Sequence, residues 1–223
     1  MINQAFPNIP GILAGFSPEA TDEILAASEK RQIKAKNIVM ETGEPAAHVF
    51  MISSGRLRCY KKTKSREDVV LYLLGAGDVF GLVSLLSQPP PYMASAEALS
   101  DCELFVWTHD VIRRLTAKHP QLAENALRIA LEYLQQYVTR HMGLVSKTAE
   151  QRLAVTLLGL SHRGGHVHPD GVEIEATNQQ LSGLADISRF TTSRLLKKWA
   201  REGVVSKVRS KVVIHVPEAM ATE

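Results

Sequence analysis

The chain has 223 residues, of which 45% are hydrophobic and 22% charged, and its 26 basic and 23 acidic side chains leave a formal charge of only +3. That length holds two modest domains, each with its own core, and the composition is ordinary for a globular protein in water. The longest apolar run, 69–74, is too short to span a bilayer, the opening MINQAFPNIP has no basic segment leading into an apolar core, and two cysteines cannot build a disulfide framework, so a cytoplasmic protein with no membrane partner is expected.

A helix is predicted near 17–29 (SPEATDEILAASE), with Ser17 as its cap. From about 38 to 108 short β segments alternate with turn residues. The strand candidates are 49–53, 57–61, 69–74 and 102–107, punctuated by Gly43-Glu44-Pro45, Gly55 and Gly75-Ala76-Gly77-Asp78. Many short strands at this spacing predict a sandwich or jelly roll. After His119-Pro120 a helical stretch runs to about 146, with no glycine before Gly143. Along it Leu127, Ala130, Leu134, Tyr137, His141 and Leu144 recur at alternating steps of three and four, the spacing of a coiled-coil seam. Such a stripe either packs on its own domain or is covered by a partner, and a homodimer is the expected arrangement.

A further amphipathic helix is predicted over 151–160 and a short strand over 172–175. Residues 177–201 (TNQQLSGLADISRFTTSRLLKKWAR) then read as helix, tight turn, helix. Thr177 is placed to cap the first helix, and Leu181, Leu184 and Ala185 form its apolar stripe. Asp186 and Ile187 make the turn. Ser188 caps the second helix, whose Leu195, Leu196 and Trp199 pack inward while Arg189, Arg194, Lys197, Lys198 and Arg201 fall on the opposite side. Segments 203–207 and 211–216 read as a two-stranded wing with Lys207, Arg209 and Lys211 around its tip.

Between 187 and 211 eight Lys and Arg residues stand against Glu202 alone, an electrostatic footprint for phosphate that the whole-chain charge conceals. Arginine at the start of a helix so presented can fork onto guanine O6 and N7 in the major groove. The expected DNA-binding residues are Thr177, Ser188, Arg189, Phe190, Thr191, Ser193, Arg194, Lys197, Lys207, Arg209 and Lys211, and the expected partner is double-stranded DNA. A dimer would set two such helices about one DNA turn apart on a near-palindrome. The competing class is a DNA-free dimeric ligand-binding protein, separated by the salt dependence of duplex binding. No Gly-x-Ser-x-Gly elbow, phosphate loop or His-Glu-x-x-His occurs, so no catalytic residues are assigned and no enzyme is expected.

This order of parts resembles the cyclic-AMP receptor / fumarate–nitrate regulator (Crp/Fnr) family of bacterial transcription factors, from roughly residue 11 to 216. The residues that carry the resemblance are Gly43-Glu44-Pro45, Ser54-Gly55, Gly77-Asp78-Val79-Phe80-Gly81, His168-Pro169-Asp170-Gly171, Ser188-Arg189 and Arg194-Leu195-Leu196. The resemblance implies an α+β chain: a β-roll sensor domain of the cyclic-nucleotide-binding type over 1–118, a dimerisation helix over 119–147 and a winged helix-turn-helix over 148–223. It also implies promoter DNA as target and RNA polymerase as a further partner.

In cyclic-AMP-binding members the segment after Phe-Gly supplies a glutamate for the ribose and an arginine for the cyclic phosphate. Here Leu82 follows Phe80-Gly81, the arginine position falls at Tyr92 or Met93, no Lys or Arg occurs from 67 to 112, and no carboxylate lies between Asp78 and Glu97. A buried phosphate without a cation forfeits charge-assisted bonds of about 1.5–3 kcal/mol each and is still desolvated. Cyclic AMP is therefore not the expected effector. Leu82, Tyr92, Met93, Tyr133 and Tyr137 would line a more apolar pocket for a neutral or aromatic ligand, or simply fill it. Phe190 stands where the family usually has a base-reading glutamate, and phenylalanine can touch a thymine methyl but cannot accept from cytosine N4.

No cofactor is assigned. Haem on His48, His109 or His141 is an alternative that would make the chain a gas or redox sensor of the same fold. An N-terminal cysteine cluster for iron–sulfur is absent from the sequence, and Cys59 and Cys102 read as small core residues. His162, His166 and His168 lack the further ligands of a tetrahedral site, so no metal is assigned. Gly75 to Gly81 has its third glycine one place late for a dinucleotide fingerprint, and Pro89-Pro90-Pro91 reads as a stiff loop.

Overall fold

The computed structural model describes residues 11–62 and 68–220, with the backbone alone described at 162–164. The chain falls into two compact units, Ile9–Gln135 and one that takes in Gln136–Glu223. Among the described residues no helix is long and apolar enough to cross a membrane.

The first unit opens with helix α1 (Pro18–Ala26), capped by Ser17, whose Oγ accepts from the Ala20 amide at 3.3 Å. Strands β1 (Glu29–Ile33), β2 (Ile38–Met40), β3 (His48–Ser54), β4 (Leu57–Lys62), β5 (Asp68–Leu74) and β6 (Val79–Phe80) follow. A short 3-10 turn (Leu82–Leu85), β7 (Ser95–Ala98), β8 (Cys102–Thr108) and helix α2 (His109–Lys118) complete the series before the long helix α3 (Gln121–Ser146). The strands form two four-stranded antiparallel sheets, in the orders β1-β8-β3-β6 and β2-β7-β4-β5, as the jelly-roll expectation required.

The central pair β3–β8 is buried on both faces. Phe50, Ile52, Leu104 and Val106 point into the cluster shared with β4, β5 and β7, while Val49 and Trp107 point into a second cluster with Ile24 of α1, Ile112 of α2 and Leu122 and Ile129 of α3. Double-sided burial explains why both segments read as continuous apolar runs. The Trp107 indole N–H donates to the Ile24 carbonyl at 2.8 Å, and the buried Asn125 side-chain amide donates to the Ile12 and Ala14 carbonyls, both at 2.9 Å. The first bond ties α1 to β8, and the other two tie the N-terminal segment to α3. Gly81 sits at φ 76°, and a Cβ there would lie 2.6 Å from the His48 carbonyl oxygen, so the Phe-Gly step admits no side chain.

The structure departs from the sequence expectation at several elements. The predicted helix at 17–29 stops at Ala26, and Glu29–Ile33 is an edge strand whose charged residues suit its exposed flank. β2 and β7 are not among the strand candidates, because three residues, or the small and polar run Ser-Ala-Glu-Ala, carry no strand periodicity of their own.

The second unit holds helix α4 (Ala149–Gly164), strands β9 (His166–His168) and β10 (Gly171–Glu175), helices α5 (Asn178–Ala185) and α6 (Arg189–Arg201), and strands β11 (Val205–Val208) and β12 (Lys211–Ile214). The wing is not a free two-stranded hairpin. β12 pairs with β10 as well as β11, in one antiparallel sheet of order β11-β12-β10-β9. The segment 166–168, which is not among the strand candidates of the sequence, is the other edge strand of that sheet. Gly171 permits this turn at φ 144°, since a Cβ there would lie 2.0 Å from the Ile214 carbonyl oxygen. The core beneath gathers Leu153 and Leu157 of α4, Ile174, Leu181, Ala185, Leu195, Leu196, Trp199, Val205, Val212 and Ile214.

Candidate nucleic-acid interface

The helix-turn-helix is built from short-range caps that the sequence announces. Thr177 and Gln180 form a reciprocal capping box at the start of α5, with bonds of 3.2 and 2.8 Å. Asp186 ends the helix in a left-handed conformation (φ 52°, ψ 53°), which an aspartate tolerates better than most side chains. Ile187 lies against the core, and its amide donates to the Ser182 carbonyl at 3.0 Å. Ser188 Oγ then accepts from the Thr191 amide at 3.0 Å and caps α6. Leu195, Leu196 and Trp199 are buried on the inner side of α6, as their spacing predicted.

Two anchors escaped the sequence reading. Arg152 of α4 spreads its guanidinium over three backbone carbonyls: Nε to Ala185 at 3.0 Å, Nη2 to Asp186 at 3.3 Å and Nη1 to Lys147 at 2.8 Å. It thereby satisfies the carbonyls left open at the end of α5 and in the turn. Glu150, in the first turn of α4, accepts from Lys198 Nζ at 2.7 Å and from the Trp199 indole N–H at 3.2 Å. The only sequence signal for either was a polar residue at the start of an amphipathic helix, whose partners in α5, the turn and α6 lie 33 to 49 positions away.

The outer side of α6 is what these anchors leave exposed. Phe190, Ser193, Arg194, Lys197, Ala200 and Arg201 line one open, shallow face along the helix. Arg189, Phe190, Arg194, Lys197 and Arg201 are all exposed, and Ser193 and Thr191 half-buried. Thr191 Oγ1 lies 2.9 Å from Ser188 Oγ, so these two hydroxyls serve the cap and each other.

Of the eight cations counted between 187 and 211, three have partners within the fold. Lys198 is paired with Glu150, which raises the lysine pKa. Lys211 is paired with Glu173 at 2.7 Å, which holds that carboxyl below its ordinary range. Lys207 donates to the Asn178 side chain beside the Thr177 cap, and partial burial lowers its pKa. Arg189, Arg194, Lys197, Arg201 and the wing-tip Arg209 (φ 54°) have no hydrogen-bond or ion-pair partner among the described residues.

In the first unit the proposed effector residues divide. Tyr92 is buried, and its hydroxyl accepts from the His48 amide and donates to the His48 carbonyl, both at 2.9 Å. Its backbone is held as well, by the Glu44 carbonyl and the Gly43 amide, each at 2.9 Å. Tyr133 donates to the Val79 carbonyl at 3.1 Å while its own carbonyl accepts from Tyr72 at 3.0 Å, with the two rings 4.8 Å apart. Leu82 packs, with Tyr133, against the Trp107 cluster. Met93 is exposed to solvent, and Tyr137 belongs to the other unit. Tyr133 thus borders both clusters, with Leu82 against one and Tyr92 in the other, and the tyrosine hydroxyls are occupied by backbone.

The histidines weighed as haem ligands are also placed. His109 Nδ1 lies 2.7 Å from the Ser84 carbonyl oxygen, burial holds the His48 pKa below its ordinary value, and His141 is exposed with its ring 6.3 Å from Tyr137. Arg113, just past the cation-free stretch, reaches back from α2 to the Leu85 carbonyl at 3.3 Å but is itself exposed. Among the described residues no group of His, Cys, Asp and Glu could hold a metal ion.

Two family models match the chain: the cyclic nucleotide-binding domain over residues 30–119 and the Crp-like helix-turn-helix domain over residues 151–223. The chain is similar to the cyclic AMP receptor protein of Thermus thermophilus, 29% identical with 86% of each chain covered. It is also similar to the CRP-like cAMP-activated global transcriptional regulator of Mycobacterium tuberculosis, 24% identical with 95% of each covered. Among solved structures, FixK2 from Bradyrhizobium japonicum shares the fold with a TM-score of 0.76 at 19% identity, over 86% of this chain and 95% of that one.

Proposed function

Because this chain belongs to the Crp/Fnr family of transcription factors, we propose that it binds promoter DNA as a homodimer on a near-palindromic site, under a sensor domain that does not answer to cyclic AMP. The family membership makes it a Crp-like transcriptional regulator with a helix-turn-helix DNA-binding domain. The observation that carries the finer reading is the division of α6, whose inner side is locked into the core while Arg189, Arg194, Lys197 and Arg201 stand outward and unpaired. A helix held this way meets a major groove with base-reading residues at its start and phosphate-binding cations along its length.

Support for the homodimer comes from α3. Leu127, Leu131, Leu134 and Val138 are each half or more exposed, with Tyr137 and Leu144 beside them, which is too much apolar surface on one helix to be left to water. A second copy of α3 at seam spacing would cover it. Support for a sensor other than a cyclic-AMP site comes from the cation-free stretch 67–112 and from Tyr92, whose hydroxyl is spent on β3. RNA polymerase is the protein partner that a promoter-bound regulator works upon.

Duplex binding by the full chain at rising salt tests the DNA reading. Each phosphate neutralised adds about −0.9 to the slope of log affinity against log salt, so several contacts give a steep line. Arg194→Ala and Lys197→Ala should each flatten it by about one per contact removed. A flat line in the native chain would leave α6 without a nucleic-acid role.

A further inference from the structure

We infer that Phe190 reads the C5-methyl group of a thymine, and that this contact fixes the preferred base at one position of each half-site. The inference rests on the reading of α6 as a major-groove helix and names what that helix selects. Phe190 is the second residue of α6 and 78% exposed. The core beneath takes Leu195, Leu196 and Trp199 and leaves this ring out. No other ring and no cation stacks on it among the described residues, so it gains nothing in the free protein.

Its surroundings define its chemistry. Arg189 precedes it, and Ser193 and Arg194 lie one turn further along the same open face. Those neighbours offer hydrogen bonds to guanine edges or phosphates, whereas a phenyl ring offers neither donor nor acceptor. Residues at the start of a groove-seated helix face base edges rather than the backbone. Against guanine, adenine or cytosine the ring would cover polar groups and leave them unpaired, at the cost of their lost hydration. Thymine is the one base whose major-groove edge carries an apolar group, its C5 methyl. The ring therefore acts by discrimination, while affinity comes from the cations around it.

The test uses the full chain and duplexes enriched from a random pool, with each thymine of the enriched sequence replaced in turn by uracil, which lacks only the methyl. At one position per half-site uracil should weaken binding roughly fourfold, the size of one apolar carbon returned to water. Phe190→Ala should bind the thymine and uracil duplexes alike with its salt slope unchanged, and Phe190→Leu should retain part of the difference. Both variants keep the core, because Phe190 lies outside it. If uracil costs nothing at any position, or if the difference survives in Phe190→Ala, the inference is wrong while DNA binding stands. If no duplex is retained at any salt, the reading of α6 falls and takes this inference with it.

Discussion

Tyr92 is one of the two residues, with Met93, at which the family resemblance would place an arginine, and the fold has turned it into a clasp. Both hydrogen-bonding capacities of its hydroxyl go to the His48 backbone, and burial raises its pKa. A cyclic phosphate arriving there would find no cation in the cation-free stretch and no free hydroxyl on Tyr92. Calorimetry of the full chain with cyclic AMP should show no binding heat at micromolar concentrations, and a saturating isotherm there would contradict the account. Cys59 is equally settled. Burial pushes its thiol up to about 12, which keeps it protonated and inert, as expected of a small core residue.

Residue-level reading from sequence succeeded where a side chain's role is local. The caps at Thr177 and Ser188 and the inward set Leu195, Leu196 and Trp199 follow from spacings of three and four. It failed where a partner lies across the fold. Counting charge along the chain treated Lys198, Lys207 and Lys211 as free, because Glu150, Asn178 and Glu173 are 29 to 48 positions distant.

At the scale of elements, the turn between α5 and α6 is set by Arg152 as much as by Asp186. Arg152→Ala should leave the Ala185 and Asp186 carbonyls without their partner and destabilise the second unit by about 1–3 kcal/mol. Duplex affinity should fall with it, since α6 is aimed by that turn. Arg152→Lys should not restore either property, because one ammonium cannot span three carbonyls that a planar fork reaches together. Thermal unfolding and duplex titration of both variants check this, and parental behaviour in Arg152→Ala would remove Arg152 from the argument. Strand prediction shows the same division. β3, β4, β5 and β8 were legible as apolar runs, whereas β1, β2, β6, β7 and β9 are held by sheet pairing, which a single segment does not encode.

For the whole molecule, the proposed dimer would cover the exposed stripe of α3 with a second copy and set a second reading helix on a second half-site. Leu134, 56% exposed at the middle of the seam, is the position where a charge should separate the copies. The most direct measurement is selection of duplexes from a random pool by the purified chain with no effector added, run beside Leu134→Glu. The expected result is enrichment of an inverted repeat whose half-sites are centred about one helical turn, or a multiple of it, apart, with the enrichment lost in Leu134→Glu. Enrichment of a single asymmetric site by both proteins, or of no sequence by either, would contradict it.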